Sequence, residues 1–496
     1  DQLHIPGAGD QELLANTQSK SPAYASRGTY KWVTTGNWKV SCIASVSNMS
    51  GEGFVAVSPS GVTYTFNWAV AHTAAPLKFA YTVPPNTVQH TLEVRDRIFL
   101  LATKVQDRFG NTVTYTYDPV NPDHLTRIVS SDGREIDLTW TGANITQATA
   151  SVLGSWTYGY GTGINGHSSL ASVTRPDGSK WTYGFSGSRI TTKHNDQDDY
   201  KPPLTHCQNV GTPWMNTGAF TYVVGAPSGA TATYQFTYLR HYRNYVPLSC
   251  NDGDPHHNYP ADHTYFDNFS ITSKTITGVG LPTMTWSYDA GGVSSDESNT
   301  SPGYYSSPVP GPPDWNVDSY IPPDGCSGCG PTHTTTVTTP TSVIKYSFGM
   351  NFGRNEGQLL DTEVDVREPD GSAGPALKTT TSSYVSDDDA PSEPFPDIAG
   401  KTLLSINIHP MGNRIRPVEA TQIVQDGSTF TTAVNNFDAF ARVTSETAVG
   451  SNSKTTTTAY YDDLSKWVLG QVSSTSTLGT AVPCTVLQAG PCVVVD

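Results

Sequence analysis

Apolar and polar residues alternate along residues 103–185, and each run of alternation ends at a turn that contains Gly. Alternation with a period of two is typical of strands that bury one face. Asp132-Gly133 and Asp177-Gly178 separate such runs, and an Asp-Gly pair favours a type I′ turn, in which both central residues have positive φ. Residues 107–110, Asp-Arg-Phe-Gly, form a longer version of this turn. The stretch predicts a tandem array of β-hairpins.

Similar patterns along the rest of the chain predict four regions. Residues 1–100 form an N-terminal strap, irregular to about residue 30, followed by the first hairpins. Residues 101–190 contain the most regular hairpins, and residues 191–333 form an irregular β region with long loops. Residues 334–496 return to hairpins.

The aromatic residues that end the strands recur at short intervals. Trp140, Trp156 and Trp181 are 16 and 25 residues apart, which corresponds to about one hairpin per unit, near the lower edge of solenoid-type periods. A unit of this size cannot bury its apolar face alone, so it has to stack on its neighbours. The sequence therefore predicts an all-β fold in which tandem hairpins form one continuous sheet.

Composition favours strands over helices. The chain of 496 residues contains 44 Gly, 35 Pro and 25 Tyr, and only 15% of its residues are charged. Tyr, Thr and Trp suit half-buried pleated surfaces, whereas Gly and Pro mark turns. Residues 291–331 and 386–397 are rich in Pro and are predicted to leave the sheet, because Pro cannot donate a ladder hydrogen bond.

The net charge narrows the class of partner. A formal charge of −15 and a pI near 5.2 argue against nucleic acid as a partner, because phosphate binding needs a basic face. No apolar run reaches the roughly 20 residues of a membrane-spanning helix, so no membrane span is expected in this chain. The chain starts at Asp1 without Met or a signal-peptide core, which predicts a processed product or a piece of a longer protein.

The seven cysteines bear on the cellular compartment. Three pairs are disulfide candidates by their positions: Cys207 with Cys250, Cys326 with Cys329, and Cys484 with Cys492. The odd count leaves Cys42, which is predicted to be buried as a small apolar residue. Because disulfides persist in oxidising compartments, a secreted or cell-surface location is favoured.

No motif in the sequence assembles a catalytic centre. A P-loop, a dinucleotide-binding glycine fingerprint, a nucleophile elbow and a His-Glu-x-x-His motif are all absent from it. The densest polar cluster has six members: Asp252, Asp254, His256, His257, Asp262 and His263. Asp252 and Asp254 are candidate calcium ligands through their hard oxygen atoms, and the adjacent His and Asp are candidate acid–base groups. A solvated loop is the simpler interpretation, and no other cofactor is indicated.

Two further polar patterns each have a metal-binding or catalytic interpretation and a simpler one. Cys326-x-x-Cys329 followed by His333 resembles half a zinc site, but tetrahedral zinc needs four ligands and no second Cys pair follows. The acidic groups at residues 196–199 and 387–389 suit calcium loops or one carboxylate of a glycosidase pair, and acidic surface turns explain them more simply.

Aromatic residues form rows along the regular hairpins: Trp140, Trp156, Tyr158, Tyr160, Trp181 and Tyr183. Exposed rings of this kind stack on sugars. In alternating strands they more often fill the packed face of the sheet or form cross-strand ladders. Both interpretations stay open from sequence.

Five short phrases recur with small variations along the chain. They are Asp107-Arg108-Phe109-Gly110-Asn111, Tyr115-Thr116-Tyr117-Asp118, Ser131-Asp132-Gly133-Arg134, Pro176-Asp177-Gly178 and Asn436-Phe437-Asp438-Ala439-Phe440-Ala441-Arg442. Together they resemble the Tyr-Asp (YD) repeats of rearrangement-hotspot (RHS) proteins of bacteria, and similar repeats occur in insecticidal toxin complexes and teneurins. The resemblance is clearest over residues 50–185 and 425–470 and looser between them.

The resemblance implies a spiralling β-sheet wound into a hollow, cocoon-like shell, which in family members often encloses a toxic C-terminal polypeptide. Members that process themselves end the shell in an Asp-Pro-x-Gly-Leu-like element, which this sequence lacks. Shell-building is therefore the role that carries over. The implied partner is an enclosed or C-terminal polypeptide of the same parent protein, or a cell-surface carbohydrate or protein.

Three functional hypotheses follow. The leading one is a non-enzymatic shell segment of a large secreted or surface-attached bacterial YD-repeat protein, which encloses a polypeptide or serves as an adhesive scaffold. The alternative is a carbohydrate-active enzyme or polysaccharide-binding module, with the Asp/His loops and aromatic rows lining a cleft. The third is a receptor-binding ectodomain of teneurin type, which predicts exposed aromatic patches.

Overall fold

A computed structural model describes most of the chain. The described residues are 2–17, 19, 21–22, 30–83, 87–163, 166, 168–189, 218–242, 265–291, 332–350, 355–385, 395–402 and 412–479.

Every element with described bounds is a strand. The first fourteen are β1 (Gln2–Ile5), β2 (Gly9–Glu12), β3 (Leu14–Ala15), β4 (Trp32–Val33), β5 (Lys39–Ile43), β6 (Gly53–Val57), β7 (Thr63–Val83), β8 (Thr87–Gln106), β9 (Thr112–Tyr117), β10 (Leu125–Ser130), β11 (Glu135–Thr141), β12 (Asn144–Ala150), β13 (Gly154–Thr162) and β14 (Ser168–Thr174). The others are β15 (Lys180–Arg189), β16 (Gly218–Gly225), β17 (Thr231–Tyr242), β18 (Tyr265–Gly278), β19 (Leu281–Asp289), β20 (Thr332–Thr338), β21 (Ser342–Gly349), β22 (Leu359–Arg367), β23 (Ala373–Tyr384), β24 (Val418–Gln425), β25 (Ser428–Phe437), β26 (Val443–Val449), β27 (Ser453–Asp463) and β28 (Val468–Gly479).

The strands from β3 to β28 form one antiparallel sheet of 26 strands. Each strand pairs with the next one in the chain, as β10 pairs with β11 and β27 pairs with β28. Among the described residues no ladder joins β28 to β3, so backbone pairing does not close the sheet. Strands β1 and β2 form a separate hairpin. The predicted all-β fold and continuous hairpin sheet are confirmed, and the short strands β1–β3 lie within the predicted N-terminal strap.

One five-residue corner connects strands at seven places among the described residues. The amide of its first residue donates to the carbonyl of its fifth, and the amide of the fourth donates back to the carbonyl of the first. This geometry is a type I turn followed by a bulge whose fourth residue is left-handed, usually Gly. The corners begin at Ser58, Asp107, Ser130, Arg175, Ala226, Glu368 and Asp438.

The turn type predicted for Asp132-Gly133 and Asp177-Gly178 is wrong, because only the glycines have positive φ, +86° at Gly133 and +79° at Gly178. Each Asp instead accepts the backbone amide two residues later, at 3.2 Å from Arg134 and 2.9 Å from Ser179. These bonds hold the Asp in a right-handed conformation that a type I′ turn forbids. The type I′ geometry occurs at Asp426-Gly427, where φ is +51° and +71°.

Two corners that are far apart in sequence have the same side-chain network. Asp107 accepts the amides of Phe109 and Asn111 at 2.8 and 2.9 Å and the Asn111 side chain at 2.7 Å. Asp438 accepts the amides of Phe440 and Arg442 at 2.9 and 3.0 Å and the Arg442 Nε at 2.7 Å. The hydrogen bonds lower the pKa of Asp107, chiefly through Asn111. The corner is therefore a repeated structural unit.

We expect Ala441→Gly to stabilise its corner by about 0.5–1 kcal/mol. Ala441 occupies the left-handed position with φ of +59°, where a Cβ costs roughly 1–2 kcal/mol, while the freer unfolded Gly chain offsets part of that gain. Native-state hydrogen exchange of the β25 and β26 amides measures the change. Gly133→Ala is the matched control, because its Cβ would meet no atom within 4 Å. Gly133→Ala should lower the protection of the amides around its own corner. Equal effects of Ala441→Gly and Gly133→Ala on the protection of their own corners would contradict the expectation.

The first and last strands of the sheet are in contact. Trp467, in the turn between β27 and β28, donates from Nε1 to the Asn37 carbonyl at 2.8 Å. The Leu469 amide donates to the Pro59 carbonyl at 2.7 Å. A cluster of buried side chains covers this contact: Leu14, Tyr30, Val33, Ala399 and Trp467. Residues about 430 positions apart in the chain therefore share one core.

Strands β7 and β8 extend far beyond their other neighbours. Strand β6 pairs with β7 only over Thr63–Phe66, and β9 pairs with β8 only over Lys104–Gln106. The ladder between β7 and β8 continues to Val83 and Thr87. We call residues 71–99 the arm.

Candidate interaction surface

Consecutive antiparallel pairing gives the sheet two chemically different faces. Side chains alternate between the faces along each strand, and directly paired residues share a face. One register line runs Tyr222, Tyr234, Lys274, Trp286, and the adjacent line on the opposite face runs Thr221, Gln235, Ser273, Ser287. We call the first side the aromatic face and the second the threonine face.

Rings on the aromatic face contact one another across β15–β18. Phe185 and Tyr222 are 4.6 Å apart between ring centroids, and Phe220 and Phe236 are 4.7 Å apart. Tyr222 continues the row to Tyr234 at 6.1 Å. Each such pair contributes about 0.5–1.5 kcal/mol beyond area burial. The contacts fix the rings as a ladder across neighbouring strands.

The aromatic face remains partly open. Tyr238 is 4% exposed, whereas Trp181 and Tyr160 are each 36% exposed and Phe185 is 39% exposed. Large contiguous apolar surfaces on a protein mark contact with another molecule or segment. The face therefore offers rings that are held in place by neighbours and still accessible to a ligand.

Burial raises the pKa of several tyrosines on this face. Burial raises the pKa of Tyr222, and the nearby Tyr183 and Tyr234 add to the rise. Burial, and secondarily Tyr234, raises the pKa of Tyr288. Further along the sheet, burial and then Tyr115 raise the pKa of Tyr117 to about 12. Neutral phenols keep the surface suited to apolar and aromatic groups.

The threonine face carries a compact ion cluster on β21 and β22. Lys345 Nζ lies 2.6 Å from Glu363 Oε1 and 2.9 Å from Asp365 Oδ2, and the Asp365 side chain is 1% exposed. These hydrogen bonds, with Glu363 first, raise the pKa of Lys345. The lysine stays protonated and lies between the two carboxylates, so the cluster ties β21 to β22.

The structure places the predicted aromatic rows on strands β11, β13 and β15. Trp140 stacks on His124 with centroids 4.1 Å apart and donates from Nε1 to the Leu125 carbonyl at 2.8 Å. Tyr160 donates from its hydroxyl to the Ile145 carbonyl at 2.8 Å. Trp156, Tyr158, Trp181 and Tyr183 lie on the same face by register. The rows thus belong to the aromatic face.

Most polar candidates fall outside the described residues. They are Asp252, Asp254, His256, His257, Asp262 and His263, the acidic groups at 196–199 and 387–389, and the disulfide candidates Cys207, Cys250, Cys326, Cys329, Cys484 and Cys492. His333 lies in β20, where burial lowers its pKa and Asp289 acts in the opposite direction. Cys42 is a half-buried free thiol in β5.

Within the part of the chain that the structure describes, no three His, Cys, Asp or Glu side chains gather in a way that could hold a metal ion. The same residues include no helix that is long and apolar enough to cross a membrane.

Sequence reasoning missed an ion cluster that Arg442 forms with Asp438 and Asp462. Arg442 forms two hydrogen bonds with Asp462, Nη1 to Oδ1 at 2.7 Å and Nη2 to Oδ2 at 2.8 Å. Its Nε donates to Asp438 at 2.7 Å, and all three side chains are about one-fifth exposed. The Asp438-x-x-x-Arg442 spacing signals half of this network. The cluster is structural, because each carboxylate is committed to the guanidinium.

Comparison of the chain with models of known protein families and with curated proteins gave no match.

Proposed function

We propose that this chain is a shell-building segment of a large secreted or surface-attached bacterial YD-repeat protein. Its sheet winds into a hollow body that encloses a polypeptide, of toxin type or from the same parent protein, or that serves as an adhesive scaffold. The observation that carries the proposal is one uninterrupted sheet of 26 strands with rings ordered on a single face. Size in such a sheet comes from adding hairpins.

Contacts between the ends of the sheet support winding. Twenty-six strands laid flat at about 4.8 Å spacing would extend roughly 120 Å. Trp467 nevertheless reaches Asn37 at 2.8 Å, and Ser60 forms a bridge with Val468. Small-angle scattering tests the shape: a wound sheet should give a compact distance distribution with a depleted centre. A maximum dimension near the flat length, without that depletion, would contradict the shell.

Binding of an unfolded polypeptide tests the role of the aromatic face. We expect Trp181→Ser and Phe185→Ser each to weaken binding of a reduced, alkylated and permanently unfolded protein about tenfold, because each removes roughly 1.5 kcal/mol of apolar contact. Both rings are more than one-third exposed, so the fold should tolerate the change. Fluorescence anisotropy with labelled polypeptide measures the dissociation constant.

The matched control is Thr182→Ser, which lies between the two rings in sequence and on the threonine face. It should leave the dissociation constant unchanged. Equal binding by all three variants would contradict polypeptide contact at this face. Loss of polysaccharide binding instead, measured by affinity electrophoresis, would favour the carbohydrate-binding alternative, which the exposure of Trp181 and Tyr160 supports.

A further inference from the structure

A lysine and two carboxylates from adjacent strands meet at one point of the threonine face. Lys345 lies on β21 directly opposite Glu363 of β22, and Asp365 is the next residue of β22 on the same face. Lys345 Nζ lies 2.6 Å from Glu363 Oε1 and 2.9 Å from Asp365 Oδ2. One amine therefore contacts two different carboxyl groups.

The two carboxylates differ in their access to water. The Asp365 side chain is 1% exposed, whereas those of Glu363 and Lys345 are 32% and 36% exposed. Val343 faces Asp365 from β21 and Ala376 faces it from β23, so its cross-strand neighbours are apolar. Apart from Lys345 Nζ, no donor among the described residues reaches the Asp365 carboxylate. A neutral group in place of this ion pair removes the cost of burying the charge.

We propose that Lys345 and Asp365 condense into an intramolecular amide that joins β21 to β22 covalently, with Glu363 as the proton carrier. The bond between Lys345 Nζ and Asp365 Cγ forms, and the bond between Cγ and one carboxylate oxygen breaks. That oxygen leaves as water with two of the three protons of the ammonium group, and the third proton stays on the amide nitrogen. The reaction consumes no oxidant, reductant or other reactant, and the net charge does not change.

Glu363 supplies the proton transfer that this step requires. Contacts with Glu363, and then with Asp365, raise the pKa of Lys345, so the amine is protonated at rest and has to lose a proton before it attacks. Glu363 Oε1 lies 2.6 Å from Lys345 Nζ, within the range for direct proton transfer. It accepts the proton of the ammonium group and returns it to the oxygen that leaves. Because the neutral amine is scarce, the amide accumulates slowly after folding.

Contact and enclosure favour the amide over the free groups. Reacting groups held together in a suitable geometry behave as if their concentrations were about 10⁵–10⁸ M. The burial of Asp365 also keeps water away from the amide carbon, which slows hydrolysis. Glu363 lacks this protection, because about one-third of its side chain is exposed. The geometry therefore selects Asp365 as the acyl partner of the lysine.

The mass of the intact natural chain tests the proposal. A fraction of the folded protein should be lighter by the mass of one water, and this fraction should grow during incubation. Lys345→Arg is the matched control, because a guanidinium keeps the ion pair but stays protonated and does not attack the carboxyl group. It should keep its full mass. A natural chain of full mass, or an equal loss of water in Lys345→Arg, would overturn the proposal.

Peptide mapping locates the bond. Trypsin does not cut after an acylated lysine, so the amide should join residues 275–354 to residues 355–367 in one cross-linked product. Fragmentation of that product should place the bond between Lys345 and Asp365. A bond from Lys345 to Glu363 would overturn the choice of acyl partner.

Glu363→Gln tests the proton carrier separately. The substitution keeps the size of the side chain but removes its ability to accept the ammonium proton, so the amide should form about a hundredfold more slowly or less. Circular dichroism should show the same strand content in this variant and in the natural chain. Equal rates of water loss in the two proteins would overturn the role of Glu363.

Discussion

Trp467→Ala is expected to destabilise the contact between the two ends of the sheet by about 3–5 kcal/mol, the usual range for removing a buried Trp side chain. The Trp467 side chain is fully buried. Its ring lies 5.5 Å from Tyr30 and 6.0 Å from Phe440 between centroids, and Lys39 Nζ lies 4.8 Å from its ring. Removing the indole also leaves the Asn37 carbonyl without its donor, which adds a desolvation cost.

The decisive measurement is hydrogen exchange in strands that lie far from Trp467 in the sequence. If the ends of the sheet support each other, hydrogen exchange in β4 and β5 should accelerate by the same free energy as exchange in β28. Trp140→Ala is the control, because Trp140 stacks on His124 within the middle of the sheet. It should affect only its own hairpin. Unchanged protection in β4 and β5 of the Trp467 variant would show that the end contact carries no stability.

Asp462→Asn is expected to destabilise the corner at Asp438 and the neighbouring turn between β27 and β28 by about 2 kcal/mol. The substitution removes one of the two carboxylates that neutralise Arg442, and losing a partner of a buried ion pair costs about 3–5 kcal/mol. We reduce this figure because about one-fifth of each side chain is exposed and Asp438 remains in place. The Gly470 amide, which donates to Asp462 at 2.8 Å, also loses a charged acceptor.

Asp462→Asn should also reduce the loss of unfolding free energy that the natural chain shows as the pH falls. Hydrogen bonding to Arg442 lowers the pKa of Asp462, with Gly470 also contributing. A lowered folded-state pKa stabilises the protein above the unfolded value of about 3.9, and that stability is lost as the pH falls through the folded-state pKa. Chemical denaturation at a series of pH values from 5 downwards measures the effect. Asp463→Asn is the control, because that neighbouring carboxylate bonds to Ser465 and Lys466 within its own turn; an equal loss there would contradict the role of Arg442.

The sequence predicts the succession of strands well, because alternation and turn residues are local signals. It predicts the turn type badly at Asp132 and Asp177, since the Asp-Gly pair suits two different hairpin loops. At Asp177 the preceding Pro176 distinguishes the two loops, because Pro fixes φ near −65° at the second position of a type I turn. Ser131 occupies that position before Asp132 and gives no such signal. The contact of Trp467 with Asn37 has no local signal at all, because 430 residues separate them.

The aromatic face is only partly predictable, because contacts between residues that are distant in sequence have no local signal. Alternation places Trp181 and Tyr183 on one face, and register then decides which rings meet across strands. Phe185 and Tyr222 become neighbours at 4.6 Å although residues 190–217 lie between their strands. Arg442 and Asp438 are recognisable as a pair four residues apart, whereas Asp462 joins them only through the pairing of β26 with β27.

Pairing only between successive strands also suits folding that proceeds along the chain. Each new hairpin finds its partner in the segment that emerged just before it, so the sheet can grow from its leading end while the remainder is still unfolded. Ala15 is an early exception, because its partner is Lys401, and Trp467 is a later one, because its partner is Asn37. These two contacts tie the start of the sheet to strands that are made much later.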